Sequence, residues 1–349
     1  MSTIIESRRG RKVAPGLRVI DQIAKRGACF CALIGLTLRM TKRKSRWLAG
    51  LVLPLFLATN AASAAATPAP EKSKTLSWAD LSRMPLPPAG ERIAYGEGPQ
   101  QFGELRLPKG TGPFPVIVLI HGGCWLADFD YVYITRLAGW LADHGVATWT
   151  IEFRRIGDNG GGWPGTFLDV AHATDFVRQL AKNHPLDLAR VYAAGHSAGG
   201  ELALWLPTRG KLAAESELFV KDPLALKGVL GLAAITDLAR YRVGPPNSCH
   251  SAVDQLLGGP PDKFPKRYAE TSPNERLPLG VPQIFIQGES DPIVAPAAVA
   301  AYVEAAKKAG DRALFLPLPR AGHFEASTPL PENEKVFLEA LRELLREGN

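Results

Sequence analysis

The chain has 349 residues, 46% hydrophobic and 21% charged, a composition that excludes a disordered or collagen-like protein. The formal charge of +7 is uneven: residues 1–64 carry 12 Lys or Arg against two acidic residues, and the remainder carries 29 against 32. The remainder is therefore slightly acidic, which argues against nucleic-acid binding. Four cysteines without a close C-x-x-C pair argue against a zinc site.

Residues 40–64 have the pattern of an export signal. A basic stretch is followed by an apolar run at residues 47–58 and then by small residues that a signal peptidase accepts. We therefore predict cleavage near Ala65 and a periplasmic or secreted protein. A retained membrane anchor is the alternative, but about a dozen apolar residues are fewer than the roughly 20 that span a bilayer, so no stable span is expected after cleavage.

The remaining boundaries follow from this signal. Residues 1–39 precede Met40 and are interpreted as an extension from a start codon assigned too early. Residues 65–89 begin with an Ala/Pro/Thr-rich stretch and are predicted to be a flexible lead-in. Residues 90–349 are predicted to form one folded domain.

The domain is expected to begin with an antiparallel pair of strands at residues 92–95 and 102–107. Six near-continuous apolar runs follow, at residues 115–120, 147–153, 191–194, 228–233, 283–286 and 313–316. Such runs are typical of strands buried on both faces of a parallel sheet. Apolar residues at helical spacing lie between them, for example at 134–141, 170–180 and 336–344. The alternation predicts an α/β fold, a mostly parallel central sheet flanked by helices.

A glycine-rich turn follows the strand at 115–120, with the sequence HGGCW at residues 121–125. A serine that attacks a carbonyl generates an oxyanion, which backbone N–H donors about 3 Å away stabilise. Gly122 and Gly123 are small enough for the backbone to approach, so we predict an oxyanion hole here. An ordinary glycine-rich turn is the alternative.

A second glycine-rich loop, residues 154–164, follows the strand at 147–153. It lacks the Gly-Lys-Ser/Thr ending of a nucleotide-binding loop, so it is expected to border the active site instead. Trp163 in this loop and Trp125 in the preceding one are candidate apolar walls for substrate, with ordinary core packing as the alternative.

The strand at 191–194 leads into GHSAGG, residues 195–200, which opens a helical segment. A serine on a tight strand-to-helix turn needs glycines on both sides, because larger neighbours would collide. Ser197 is therefore the predicted nucleophile, and the N–H group of Ala198 is the predicted second oxyanion donor.

A serine nucleophile requires a base, and the base requires an orienting carboxylate. His323 lies in RAGHF just past the last predicted strand and is the predicted base, whereas His121 and His196 are assigned scaffold roles inside their motifs. Asp291 follows the strand at 283–286 and is the predicted acid. Asp237, after the strand before it, is the rival.

Residues 240–279 are Pro-rich and lie between two predicted strands. They are expected to be irregular and to form a small cap insertion over the active site.

The order Ser197, Asp291, His323 together with the HGG loop resembles the α/β-hydrolase superfamily. The likeness is to its esterase/lipase branch, which includes hormone-sensitive-lipase-like esterases, feruloyl-esterase-like proteins and kynurenine formamidases. It covers residues 90–346. The resemblance implies the α/β-hydrolase fold and a serine hydrolase without a metal or organic cofactor. One departure is Cys124, where many relatives have a third glycine or an aromatic residue.

The expected reaction is cleavage of a small-molecule carboxylic ester through an acyl-enzyme on Ser197. Cleavage of an amide or peptide bond, as by a formamidase or a small prolyl-oligopeptidase-like peptidase, is the runner-up. A non-catalytic binding module on a hydrolase scaffold is a third hypothesis. The acyl and alcohol parts of the substrate and the oligomeric state do not follow from the sequence.

Cys124 and Cys249 are the cysteines left after signal cleavage. Export delivers a chain to a compartment where disulfides persist. One expectation is therefore a disulfide between residues 121–125, here called the oxyanion loop, and the cap insertion. The alternative expectation is that both thiols are free.

Overall fold

The computed structural model describes residues 75–346, and the predicted signal region 40–64 and the extension 1–39 lie outside them. Within residues 75–346, eight strands form one sheet: β1 (Glu91–Ala94), β2 (Phe102–Arg106), β3 (Phe114–Ile120), β4 (Ala147–Ile151), β5 (Leu186–His196), β6 (Val229–Leu232), β7 (Gln283–Gly288) and β8 (Ala313–Leu318). Their order is β1-β2-β4-β3-β5-β6-β7-β8. β1 and β2 pair antiparallel, β2 pairs antiparallel with β4, and β3 to β8 run parallel.

The predicted strands are all found, with shifted ends. β5 differs most, because it begins at Leu186, before the apolar run, and continues to His196. The mostly parallel sheet flanked by helices is thus confirmed.

Ten α-helices occur in the described residues: α1 (Trp78–Arg83), α2 (Thr135–Asp143), α3 (Gly165–Asp175), α4 (Val177–Leu180), α5 (Ala198–Trp205), α6 (Leu238–Tyr241), α7 (Cys249–Leu257), α8 (Pro265–Thr271), α9 (Pro296–Lys308) and α10 (Glu334–Leu345). α1, α2 and α10 pack on one face of the sheet, and α3, α5 and α9 pack on the other. Short 3₁₀ turns lie at Tyr131–Ile134, Leu206–Lys211, Pro273–Arg276 and Glu325–Ser327.

The central strand β3 shows why its sequence is continuously apolar. Val116 and Val118 contribute to the core on one face, and Ile117 and Leu119 contribute to the core on the other. All four side chains are fully buried. Burial of each stabilises the fold by roughly 1.5–3 kcal/mol relative to exposure, so neither face tolerates a polar residue.

Two expectations about less regular segments are wrong. Residues 240–279 are not irregular, because α7 and α8 lie within them and bury Leu256 and Tyr268 in the core. The part of the lead-in from Thr75 to residue 89 contains α1, and Leu81 on this helix is fully buried. Both segments are held by apolar contacts with distant parts of the chain, which proline content and local composition do not reveal.

Candidate active site

Four loops meet at the edge of the sheet where the parallel strands end. They follow β3, β5, β7 and β8, and they carry Gly123, Ser197, Asp291 and His323 respectively. Because β3, β5, β6, β7 and β8 are neighbours in the sheet, side chains far apart in sequence are brought to one place. Ser197, His323 and Gly123 line the same small cavity.

Ser197 lies between the last residue of β5 and the first residue of α5, with φ 58° and ψ −120°. A non-glycine residue in this region is strained by roughly 1–3 kcal/mol, and surrounding contacts must hold it there. A Cβ atom on Gly199 would lie 2.3 Å from the carbonyl oxygen of His121, and one on Gly195 would lie 2.0 Å from that of Gly199. The glycines flanking Ser197 are therefore required by close backbone packing.

His323 is bonded to the predicted acid. Its Nδ1 lies 2.7 Å from Oδ2 of Asp291. Oδ1 of Asp291 accepts the backbone N–H groups of Ile293 at 2.8 Å and Val294 at 2.9 Å, and Gln287 Nε2 donates to Oδ2 at 3.0 Å. Burial acts to raise the pKa of the Asp291 carboxyl, but His323 and the two N–H donors outweigh it, so this pKa is below its ordinary value. Asp291 is thus an ionised acceptor that fixes the orientation of His323.

Asp237, the rival acid, has a different set of contacts. Its Oδ1 caps α6 by accepting the backbone N–H of Arg240 at 2.9 Å. The structure therefore pairs His323 with Asp291, and Asp237 is a helix cap beside a larger cavity.

The predicted oxyanion hole needs one correction. The N–H of Gly122 donates to the hydroxyl oxygen of Tyr133 at 2.7 Å, so it is not available to an oxyanion. Across residues 75–346, the N–H groups of Gly123 and Ala198 have no acceptor. Gly123 has φ +106°, and a Cβ atom there would lie 2.3 Å from that of Phe129. Two donors, one of them at the N-terminus of α5, are left for an oxyanion.

A chain of hydrogen bonds runs from Gly122 through Tyr133 and His196 to the backbone of His323. His196 Nε2 lies 3.1 Å from the carbonyl oxygen of His323, and because a carbonyl only accepts, Nε2 carries the proton. Nδ1 of His196 must then accept the Tyr133 hydroxyl proton, at 2.8 Å. Burial, reinforced by the neighbouring His323, lowers the pKa of His196 to about 3. This neutral imidazole joins the loops after β3, β5 and β8.

Sequence reasoning placed His196 in a scaffold role but missed Tyr133. In the sequence, Tyr133 is one aromatic residue in an apolar stretch before α2, and nothing local marks its hydroxyl group as a partner of Gly122 and His196. Only the tertiary contact reveals it.

Three contacts of His121 hold the oxyanion loop in place. Its Nδ1 lies 2.7 Å from the carbonyl oxygen of Gly122, its Nε2 lies 2.9 Å from Glu152 Oε1, and its ring stacks on Phe153. Burial opposes ionisation of Glu152, but His121 and Arg155 outweigh it and lower the pKa of this carboxyl. The pair fixes the carbonyl of Gly122 and hence the direction of the Gly123 N–H, which belongs to the same planar peptide unit.

Neither tryptophan predicted as a substrate wall lines the Ser197 cavity. Trp125 is 1% exposed, and its Nε1 donates to Glu201 Oε2 at 3.2 Å, so the core-packing alternative is correct for this residue. Burial raises the pKa of Glu201 well above its ordinary value. Trp163 is half-buried, donates to Glu217 and lines a separate cavity with Arg267.

Cys124 and Cys249 form a disulfide, with 5.0 Å between their Cα atoms. Cys124 directly follows Gly123 in the oxyanion loop, and Cys249 is the first residue of α7. The bridge therefore joins that loop to the insertion between β6 and β7. Both cysteines also line the Ser197 cavity.

Two cavities of very different volume flank Ile293. The smaller, of about 20 Å³, contains Ser197 and has room for little more than one water molecule. Its wall is largely aromatic and includes a residue that the sequence did not indicate, Trp78. The larger, of about 520 Å³, is lined by Asp291 and by insertion residues such as Tyr241.

No group of three or more His, Cys, Asp or Glu side chains within residues 75–346 is arranged to hold a metal ion. Among the helices of that same part of the chain, none combines the length and apolar character needed to cross a membrane.

Comparison with known proteins gives a family and two relatives. The BD-FAE family model matches residues 104–304. Esterase LipC of Mycobacterium tuberculosis (strain ATCC 25618 / H37Rv) is 27% identical over 273 residues, which cover 73% of this chain and 64% of the relative. Dipeptidyl aminopeptidase BIII of Pseudoxanthomonas mexicana is 27% identical over 243 residues, 66% of this chain and 32% of the relative. The chain thus spans less than two thirds of the length of either.

Among solved structures, the thermophilic esterase Est2 of Thermogutta terrifontis superposes with a TM-score of 0.62 at 21% identity, over 77% of this chain and 97% of Est2. At that identity the likeness shows a shared fold.

Proposed function

The chain belongs to the BD-FAE family, and from this premise we propose that it hydrolyses a carboxylic ester through an acyl-enzyme on Ser197. The observation that carries the proposal is the 2.7 Å contact of His323 with Asp291 beside a cavity that also contains Ser197. A nucleophile, a base and an orienting acid in this arrangement carry out acyl transfer.

In the first step, Ser197 Oγ attacks the ester carbonyl carbon while His323 Nε2 takes the serine proton. Asp291 accepts the hydrogen bond of Nδ1–H, which holds the other nitrogen unprotonated and stabilises the imidazolium that forms. The N–H groups of Gly123 and Ala198 bind the tetrahedral oxyanion, and His323 then protonates the departing alcohol. Water repeats the attack on the acyl-enzyme and releases the acid.

The volumes of the two cavities suggest which one receives the acyl part of the ester and which one receives the alcohol part. The acyl carbon becomes bonded to Ser197, and Ser197 lines the small cavity but not the large one. The small cavity therefore suits a short acyl group. The large cavity, beyond Ile293, has a volume that suits a larger alcohol portion.

We also propose that the protein acts in an oxidising compartment outside the cytoplasm. The Cys124–Cys249 disulfide supports this, because such bonds persist in secreted and periplasmic proteins and are rare in the cytosol.

The test is hydrolysis of p-nitrophenyl acetate by the wild type and by Ser197→Ala. We expect a loss of about 10⁴–10⁶-fold in kcat, because the triad acts as a unit. Ser82→Ala, at an exposed position on α1, is the control and should retain full activity. A fluorophosphonate should label the wild type at Ser197.

Turnover retained in Ser197→Ala would refute this nucleophile. Faster cleavage of an alanine p-nitroanilide than of the ester would favour the peptidase alternative.

A further inference from the structure

Trp78 lines the Ser197 cavity together with the two cysteines of the disulfide. Its ring centroid lies 5.2 Å from that of Phe129, 5.4 Å from that of Tyr133 and 5.9 Å from that of Phe324. All four rings line the cavity that contains Ser197. The indole thus completes an aromatic wall whose other members belong to the loops after β3 and β8.

The segment that carries Trp78 is fixed over the base. The N–H of Leu76 donates to Glu325 Oε1 at 2.6 Å, and Glu325 Oε2 accepts the N–H of Gly322, the residue before His323. Ser77 caps α1 by accepting the N–H of Asp80, whose carboxylate in turn accepts the N–H of Ser77. These contacts determine the position of the indole.

We propose that Trp78 sets the upper limit on acyl length, so that the enzyme prefers acetyl esters over esters of longer acids. This inference rests on the proposed esterase function. The cavity of about 20 Å³ beside Ser197 has room for about one water molecule, so it can accept only a small end of an acyl group. A longer acyl chain that is directed into this cavity must displace part of its aromatic wall.

Trp78 differs from several other wall members because its side chain takes no part in the hydrogen bonds or the disulfide of the Ser197 site. Tyr133 and His196 are hydrogen-bonded to each other, and Cys124 and Cys249 are joined covalently. Trp78 is half-buried on a short helix outside the sheet, so loss of its indole opens the cavity toward the surface.

The experiment measures kcat/KM for p-nitrophenyl acetate, butyrate and octanoate with the wild type, Trp78→Ala and Trp78→Phe. We expect Trp78→Ala to lower the acetate-to-octanoate ratio by about tenfold or more, mainly through a lower KM for octanoate, since a few methylene contacts produce effects of this size. Trp78→Phe, which keeps a smaller ring, should shift the ratio in the same direction by less, and it provides the test if the alanine variant does not fold.

Trp163→Ala is the matched control, because Trp163 is also half-buried but lines a separate cavity with Arg267. Its acetate-to-octanoate ratio should equal that of the wild type. Equal loss for all three esters in the Trp78 variants would overturn the inference and leave Trp78 a purely structural residue. A wild type that cleaves none of the esters would instead contradict the proposed function.

Discussion

Two regions meet at Ser197, and they contribute different kinds of group to the site. The catalytic loops, after β3, β5, β7 and β8, are fixed by hydrogen bonds such as those from Ile293 to Asp291 and from Gly122 to Tyr133. The covering segments, residues 75–89 and 238–279, also make hydrogen bonds, for example from Leu76 to Glu325, but they contribute the apolar Trp78 and the disulfide-bonded Cys249 to the wall of the Ser197 cavity.

With the proposed function, this difference predicts that one region governs the chemistry and the other the selectivity for substrate. Hydrogen bonds have narrow geometric limits, so they can hold reacting groups and oxyanion donors in one arrangement. Apolar packing specifies volume, so the covering segments determine how much space a substrate has. A change in the catalytic loops should therefore reduce rate, whereas a change in a covering segment should alter substrate range or stability.

Among variants that keep the Ser197 hydroxyl, the largest effect is expected from Asp291→Asn, which removes the carboxylate that is hydrogen-bonded to His323. An asparagine favours the wrong tautomer of the base, so kcat should fall by a factor on the order of 10³–10⁴ while the fold is retained. Asp237→Asn is the matched control and should keep its kcat and nearly all of its stability, because asparagine caps a helix about as well as aspartate. The measurement is steady-state hydrolysis of p-nitrophenyl acetate. A larger loss of activity in Asp237→Asn than in Asp291→Asn would reverse the assignment.

The next largest effect is the loss of stability expected when the disulfide that joins the two regions is removed. The bridge between Cys124 and Cys249 closes a loop with a sequence separation of 125 residues, which the chain-entropy model equates with about 4–5 kcal/mol of stability. Urea unfolding of Cys124→Ser/Cys249→Ser should show a lower midpoint than the wild type under oxidising conditions. Reduction should shift the wild type toward the variant and leave the variant unchanged. A wild-type midpoint insensitive to reductant, or a digest without a linked pair of cysteine peptides, would contradict the bridge.

The smallest effect concerns the buried imidazole of His196, whose pKa is lowered to about 3. Unfolded histidine has a pKa near 6.5, so between these values the unfolded chain binds a proton that the folded chain does not. The free energy of unfolding should therefore fall as pH falls below about 6.5, by up to about 1.4 kcal/mol per pH unit from this group, with no such slope above it.

Urea unfolding at pH 7, 6 and 5 checks this by comparing the wild type with His196→Asn, which removes the titrating group. The two stability curves should converge as pH falls. His144→Asn, at an exposed position, is the control for removal of an imidazole. Parallel wild-type and His196→Asn curves would show that His196 does not remain neutral in the folded protein.

The sequence predicted the parallel sheet and the strands that precede Ser197, Asp291 and His323, because local rules govern those positions. A strand buried on both faces must be apolar along its length, as β3 is. A serine at φ 58° between β5 and α5 requires glycine neighbours, so the turn has a recognisable sequence.

Tertiary structure alone decided the rest. The N–H of Gly122 is occupied because it donates to the Tyr133 hydroxyl. The Ser197 cavity is lined by Trp78 and not by Trp125 or Trp163. An aromatic side chain has no local backbone requirement, so the sequence around it does not show which wall it will join. Its position depends on contacts between segments far apart in the chain, and those contacts exist only once the sheet and its covering segments have assembled.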